Sequence, residues 1–111
     1  MKKFEKTVYI SHPLDDDPSY NMLKVLALGK ELIKENPSIL FIIPHMMVVP
    51  FLELKKDGLE YCIELMKKCD EVWVYRGFAK KSKGVNYEVK MAKKLGIPVY
   101  GSTVWGDFSE K

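Results

Sequence analysis

The chain is poor in arginine, has few cysteines and contains no long apolar run. Of its 18 lysine and arginine residues only Arg76 is an arginine, so the formal net charge of +3 comes from lysines spread along the sequence. Recognition of nucleic acids favours the forked guanidinium group and a concentrated basic face, so this distribution argues against a nucleic-acid partner. A small anionic ligand remains compatible with it.

No stretch approaches the roughly 18 apolar residues that a membrane-spanning helix needs. At the N-terminus, Met1–Lys3 is followed by alternating Phe4, Glu5 and Lys6 rather than by the apolar core of a signal peptide. We therefore expect a cytoplasmic protein with no membrane partner.

The two cysteines are expected to be reduced. Cys62 and Cys69 are seven positions apart in one helical pattern. That spacing separates them by about 10 Å along a helix axis, too far for a disulfide. We expect buried thiols on the apolar face of that helix.

Four short runs rich in β-branched and aromatic residues predict strands. They are Thr7–Ile10, Ile39–Ile43, Glu71–Tyr75 and Ile97–Tyr100. With 111 residues, 47% of them hydrophobic, the chain has room for one core, and we expect residues 1–111 to form a single domain.

Each of the three segments between these strands contains a stretch with helical periodicity. The first helix follows Asp15–Ser19 and ends before Pro37, the second begins at the capping-box pattern Asp57–Glu60, and the third runs from Val85 to Leu95. Alternating strands and helices imply right-handed crossovers and a parallel sheet. The predicted fold is an α/β, single-domain, Rossmann-like or flavodoxin-like three-layer sandwich with a parallel sheet of four or five strands.

The segment Met46–Leu52 is apolar and contains Pro50, which disfavours a regular helix. We expect irregular structure or a broken helix there. An apolar stretch of this length is unfavourable in water on a small monomer, which predicts a homodimer or a larger homo-oligomer.

In an open parallel sheet, ligands bind beyond the carboxyl ends of the strands at the topological switch point. Residues that follow the predicted strands there include Ser11, His12 and His45, and we expect them to bind the substrate. The two histidines do not predict a metal site, because no third ligand is evident and zinc needs three or four. We expect no metal and no cofactor. Tyr75 lies at a strand end and is suited to stacking on a base, although Trp73 and Tyr75 alternate along the strand and equally suit a core.

Glu88 lies on the apolar face of the third predicted helix with Val85, Val89 and Ala92, opposite a face of lysines. A carboxylate on such a face is costly to desolvate unless it is paired or lines a cavity. Because this helix begins near the strand ends, Glu88 is a candidate site residue. The alternative is that it caps backbone amides or pairs with a lysine.

Ser82 and Gly84 precede or open the same helix, among several lysines. A hydroxyl, backbone amides and positive charge at a helix start suit an anion such as phosphate. A serine N-cap beside solvated lysines explains the same residues.

The motif Ser-x-Gly-Val-x-Tyr-Glu at residues 82–88, followed by Ala92 and Gly-Ile-Pro-Val at residues 96–99, resembles the nucleoside 2-deoxyribosyltransferase superfamily. The order of strands and helices is similar over most of the chain. The sequence looks most like the compact branch found in phages and bacteria. Its motif also resembles that of the 2′-deoxynucleoside 5′-monophosphate N-glycosidases.

The resemblance implies a role for each matching residue. Glu88 corresponds to the nucleophile that attacks C1′ of the deoxyribose and displaces the base, forming a glycosyl-enzyme ester. Tyr9 matches a tyrosine that hydrogen-bonds near the nucleophile, and Asp70 matches an aspartate of the base-binding region. Ser82 and Gly84 match the loop that binds a monophosphate.

Two departures from the superfamily qualify this expectation. The loop after the first strand, residues 11–17, lacks the family's glycine-rich or Asp-Arg pattern, and Ser82 replaces an acidic residue of the transferases. The second change favours nucleoside monophosphates over free nucleosides, or loss of activity. We therefore carry three hypotheses: N-glycosidic bond cleavage or base exchange on a nucleoside or nucleotide, a non-catalytic module that binds a nucleotide derivative, and a TIR-like NAD-cleaving or interaction domain.

Overall fold

A computed structural model of the protein describes residues 4–12, 18–44, 58–75, 83–104 and 107–110. These residues form five strands and three helices. In chain order they are β1 (Lys6–Ser11), α1 (Pro18–Glu35), β2 (Ile39–Ile42), α2 (Gly58–Met66), β3 (Glu71–Tyr75), α3 (Lys83–Lys94), β4 (Val99–Val104) and β5 (Asp107–Glu110).

All five strands belong to one sheet with the order β2-β1-β3-β4-β5. The pairs β1–β2, β1–β3 and β3–β4 are parallel, which confirms the predicted α/β architecture and its four strands. The fifth strand, β5, pairs with β4 in the antiparallel sense. Only residues 105 and 106 separate β4 from β5, and so short a connection permits a hairpin but no crossover.

The sheet separates two apolar cores because successive side chains of β1 point to opposite faces. Val8 and Ile10 pack with Val25, Leu28 and Leu32 of α1. On the other face, Tyr9 packs with buried residues of α2, α3, β3 and β4. These are Cys62, Ile63, Met66, Val72, Val74, Val85, Ala92 and Val99, together with Cys69. Tyr9 is therefore the residue of β1 that belongs to the apolar core on the two-helix side.

The helix α1 buries one stripe and leaves another in solvent. Leu23, Leu26 and Ile33 are exposed, although each is apolar.

The apolar segment Met46–Leu52, on which the prediction of a homo-oligomer depends, lies outside the described residues, so that prediction remains untested.

The helix α3 confirms the predicted inward orientation of Glu88, which is buried together with Val85 and Ala92. Leu95, one residue beyond the end of α3, is exposed. Gly96 then adopts a φ of 77°, the left-handed conformation that glycine supplies at a helix C-terminus.

Within the described part of the chain, no helix is long and apolar enough to cross a membrane. Both cysteines are free and buried, as the sequence predicts.

Candidate functional site

The site centres on the buried carboxylate of Glu88, which accepts hydrogen bonds from two hydroxyl groups of β1. The Tyr9 hydroxyl donates to Oε2, and Ser11 Oγ donates to Oε1 at 2.7 Å. Tyr9 and Ser11 are fully buried, and Glu88 retains 6% of its exposure. The three side chains form one polar cluster in an otherwise apolar layer.

The periodicities of one strand and one helix bring these groups together. Tyr9 and Ser11 are two positions apart on β1, so both face α3. On α3, Glu88 lies between Val85 and Ala92, three positions after one and four before the other, and these two apolar side chains hold the same face against the sheet. The cluster thus lies towards the carboxyl end of β1, where an open parallel sheet places its ligand crevice.

Electrostatics fixes Tyr9 as a hydrogen-bond donor. Burial, and next the negative charge of Glu88, raise the pKa of the Tyr9 phenol far above its usual value of 10.0. The phenol therefore keeps its proton at neutral pH. Two donated hydrogen bonds favour the charged form of a carboxyl group, so Tyr9 and Ser11 both stabilise Glu88 as a carboxylate.

A fourth group, Cys62 on α2, is buried in the same core cluster as Tyr9. Burial raises the pKa of its thiol from 9.0 to about 11. Sequence reasoning placed Cys62 on a buried helix face but not in the site. A position on a short helix carries no signal about which strand residue it will meet, so only the packing of α2 on β1 identifies it.

Asp70 lies at the opposite end of the sheet from this cluster. Its Oδ2 accepts a hydrogen bond from the backbone N–H of Thr7 at 2.8 Å, and its own N–H donates to the Thr7 carbonyl at 2.8 Å. Thr7 precedes Ser11 by four residues, or about 13 Å of extended strand. The structure therefore does not bring Asp70 together with Glu88. In this protein the Asp70 carboxylate fixes the backbone at the start of β1.

Five other predicted site residues lie near or beyond the limits of the described ranges. His12 directly follows β1 and is buried, and Gly84 lies half-buried in the first turn of α3. Tyr75 is the last residue of β3, but its side chain is outside the part of the chain that the structure describes. His45 and Ser82 also lie outside the described residues. Among the residues that are described, no group of three potential metal ligands converges.

Comparison with known protein families gives one match. The model of a domain of unknown function, DUF7768, matches residues 6–101, from the start of β1 into β4, and so includes Tyr9, Ser11, Cys62 and Glu88. No curated protein and no solved structure matches the chain significantly. The match covers most of the sequence and all of the four parallel strands except the last residues of β4. The chain therefore belongs to the DUF7768 family.

Proposed function

We propose that the protein cleaves or exchanges the N-glycosidic bond of a nucleoside or nucleoside 5′-monophosphate, with Glu88 as the nucleophile. The observation that carries the proposal is the buried Glu88 carboxylate held by Tyr9 and Ser11 near the carboxyl end of β1. Burying a charge is costly, and ionisable groups with strongly perturbed pKa values cluster at functional sites. The resemblance of residues 82–88 to the nucleoside 2-deoxyribosyltransferases supplies the substrate class.

In the proposed reaction, one oxygen of Glu88 attacks C1′ of the sugar. The C1′–N bond breaks, its electron pair leaves with the base, and the base takes up a proton from water. The resulting ester is then opened by water, which regenerates the carboxylate, or by a second base, which gives a new nucleoside. No cofactor enters this sequence.

Tyr9 and Ser11 orient the nucleophile in this reaction. Tyr9 donates to Oε2 and Ser11 donates to Oε1, so the two hydroxyl groups together hold the carboxylate in one orientation against β1. Tyr9 donates its proton to Oε2, and burial raises the pKa of its phenol, so we assign it an orienting role rather than that of a base. Asp70 binds the backbone of Thr7, which lies about 13 Å of extended strand before Ser11, so we assign it no direct part in this step.

The second candidate is a module of the same fold that binds a nucleotide derivative without turnover. It is favoured by the pairing of both Glu88 oxygens with protein donors, which also suits a purely structural carboxylate. In that case Glu88 ties α3 to β1, and binding depends on the residues around the start of α3.

Base release separates the two candidates. The purified protein is incubated with a panel of deoxynucleosides and deoxynucleoside 5′-monophosphates, and free base is detected by chromatography. We expect release from at least one member and, after an acid quench, a deoxyribosyl adduct on the peptide that contains Glu88. Absence of release from every member, together with a thermal shift by one of them, favours the binding module.

A further inference from the structure

We propose that two copies of the chain associate through the exposed apolar stripe of α1, with the two helices antiparallel around a twofold axis at the level of Leu28. The partner that covers this stripe is therefore a second copy of the same chain. The surface is distinct from the segment Met46–Leu52, and the proposal is independent of the proposed function.

The exposed stripe has the spacing of a coiled-coil seam. Its members, called here the outer seam, follow one another at intervals of three, four and three residues, and they are Leu23, Leu26, Lys30 and Ile33. This spacing places successive a and d positions along one side of a helix. All four residues are exposed, and three of them carry large aliphatic side chains. They form one contiguous row rather than the scattered apolar residues of an ordinary surface.

The outer seam lies on the side of α1 that the core of the domain does not use. The packing of α1 on the sheet is supplied by a different stripe, in which Val25, Leu28 and Leu32 are buried. The helix therefore carries two apolar stripes, although one is enough to hold it on the sheet. The second stripe is available for a contact outside the domain.

Reversing the direction of the outer seam reproduces its pattern, and this points to a second copy as the partner. Around a twofold axis at the level of Leu28, Leu23 lies opposite the partner's Ile33. Leu26 then lies opposite the partner's Lys30, whose methylene stem offers an aliphatic surface while its ammonium group extends to water. Each apolar member of one seam thus meets an aliphatic surface of the other.

The charge of Lys30 selects the antiparallel direction. In a parallel pair, Lys30 would lie directly opposite Lys30 of the partner subunit, and the two ammonium groups would repel each other. In the antiparallel pair the two lysines are displaced by about 6 Å along the helix axis, and each faces a leucine. A single lysine at an a position is a device that specifies register at a cost in stability. Lys30 therefore weakens the dimer but fixes its direction.

Sedimentation equilibrium of the full chain, from micromolar to near-millimolar concentration, measures the association. We expect a monomer–dimer equilibrium, with a dissociation constant raised at least about tenfold by Leu26→Lys and lowered at least about tenfold by Lys30→Leu, which completes the apolar seam. Leu95→Lys is the matched control, because Leu95 is 42% exposed and Leu26 40%, but Leu95 follows α3. A parent that is monomeric throughout, or a dimer that Leu26→Lys leaves unchanged, overturns the proposal.

An exchange of charges across the seam tests its direction. Leu23→Glu alone should weaken the dimer, because it sets a carboxylate opposite the partner's Ile33. Adding Ile33→Lys should restore association in low salt, since each new carboxylate then faces a new ammonium group in the antiparallel pair. A double variant that associates more weakly than Leu23→Glu alone would indicate a parallel pair and overturn the proposed arrangement. Leu23 is 68% exposed, so these variants should keep the fold, and a thermal melt checks this.

Discussion

Carboxylates hold the central strand β1 at both ends, and the two ends differ in exposure to solvent. The carboxyl-end cluster consists of Tyr9, Ser11, Cys62 and Glu88, all of them buried. The amino-end cluster consists of Lys6, Thr7, Asp70 and Glu71, where the carboxylate of Asp70 is exposed and an ion pair at 3.0 Å joins Lys6 to Glu71.

The difference in exposure means that the carboxylates at the two ends of β1 contribute differently to stability. At the amino end, water screens the charges, so each interaction adds little and can be lost at little cost. At the carboxyl end the groups are buried, so removing a partner costs the desolvation of the polar group left behind. Large effects of substitution should therefore concentrate at the carboxyl end, on stability and on activity alike.

The largest expected effect is on base release by Glu88→Gln. The substitution preserves shape but removes the nucleophile, so we expect the rate to fall at least about a thousandfold while the melting curve remains cooperative. Chromatography of free base measures it. Asp70→Asn, the matched change at the amino end, should leave the rate unchanged. Activity that survives in Glu88→Gln would remove this residue from the mechanism.

Alkaline pH should destabilise the protein through its buried thiols. Cys62 and Cys69 keep their protons up to a pKa of about 11 when folded, against 9.0 ordinarily. Unfolding above pH 9 therefore releases protons. The contribution is complete below pH 9 and is lost between pH 9 and 11, at up to about 3 kcal/mol for each thiol.

Urea titrations at pH 8, 9, 10 and 11 test this dependence. The parent should lose stability steadily across the range, and Cys62→Ala and Cys69→Ala should each show a shallower decline. Above pH 10 the raised pKa of Tyr9 adds to the loss in the same direction. A free energy of unfolding that stays constant to pH 11 contradicts the burial of these groups.

Tyr9→Phe tests what one donor contributes to the carboxyl-end cluster. Without the hydroxyl, Oε2 of Glu88 loses its Tyr9 partner, and we expect the free energy of unfolding at pH 7 to fall by about 1–3 kcal/mol. Tyr20→Phe is the control, because Tyr20 is 54% exposed and its change should stay within about 0.5 kcal/mol. Equal effects of the two substitutions would mean that the Glu88 carboxylate does not depend on Tyr9.

At the amino end, Asp70→Ala should cost about 0.5–1.5 kcal/mol, the net value of its hydrogen bond to the Thr7 backbone. Asp70→Asn keeps an acceptor oxygen and should cost less. Denaturant unfolding measures both. A loss of base release in Asp70→Asn, with stability preserved, would instead favour the catalytic role that the family resemblance implies for this residue.

The smallest effect is expected for Lys6→Met. In its ion pair with Glu71, the Lys6 side chain is 35% exposed and the Glu71 side chain 17% exposed. Such partly exposed pairs contribute less than about 1 kcal/mol to the free energy of unfolding. The contribution should shrink further in high salt. A larger loss would show that the amino-end cluster is less well screened than its exposure indicates.

The parallel fold was predictable because its signals are local. Apolar runs bounded by turn residues identified all four parallel strands, and the inward position of Glu88 followed from helical periodicity alone. The antiparallel β5 was not predicted, because Asp107–Glu110 has no apolar alternation and pairs only with the edge of β4.

The site was only partly predictable, because its contacts join distant parts of the chain. Tyr9 and Glu88 could be paired by resemblance to a known superfamily. Cys62 could not, since no pattern in α2 specifies its neighbour on β1. Asp70 precedes β3 by one residue, and in a parallel sheet that position belongs to the end opposite the crevice. The direction of the strands therefore places Asp70 at the start of β1, away from the partners of Glu88. A match of sequence motifs takes no account of strand direction.

The hydrogen bond from Tyr9 to Glu88 spans 79 positions of the chain, and it has a consequence for the order of folding. Contacts so distant in sequence close large loops, and so does the pairing of β1 with β3, in which Val8 and Glu71 are 63 positions apart. We therefore expect the cluster to assemble after the central strands have met. Substitutions in it should chiefly accelerate unfolding and leave the refolding rate almost unchanged. The chemistry proposed for this protein is then available only in a chain that has completed its topology.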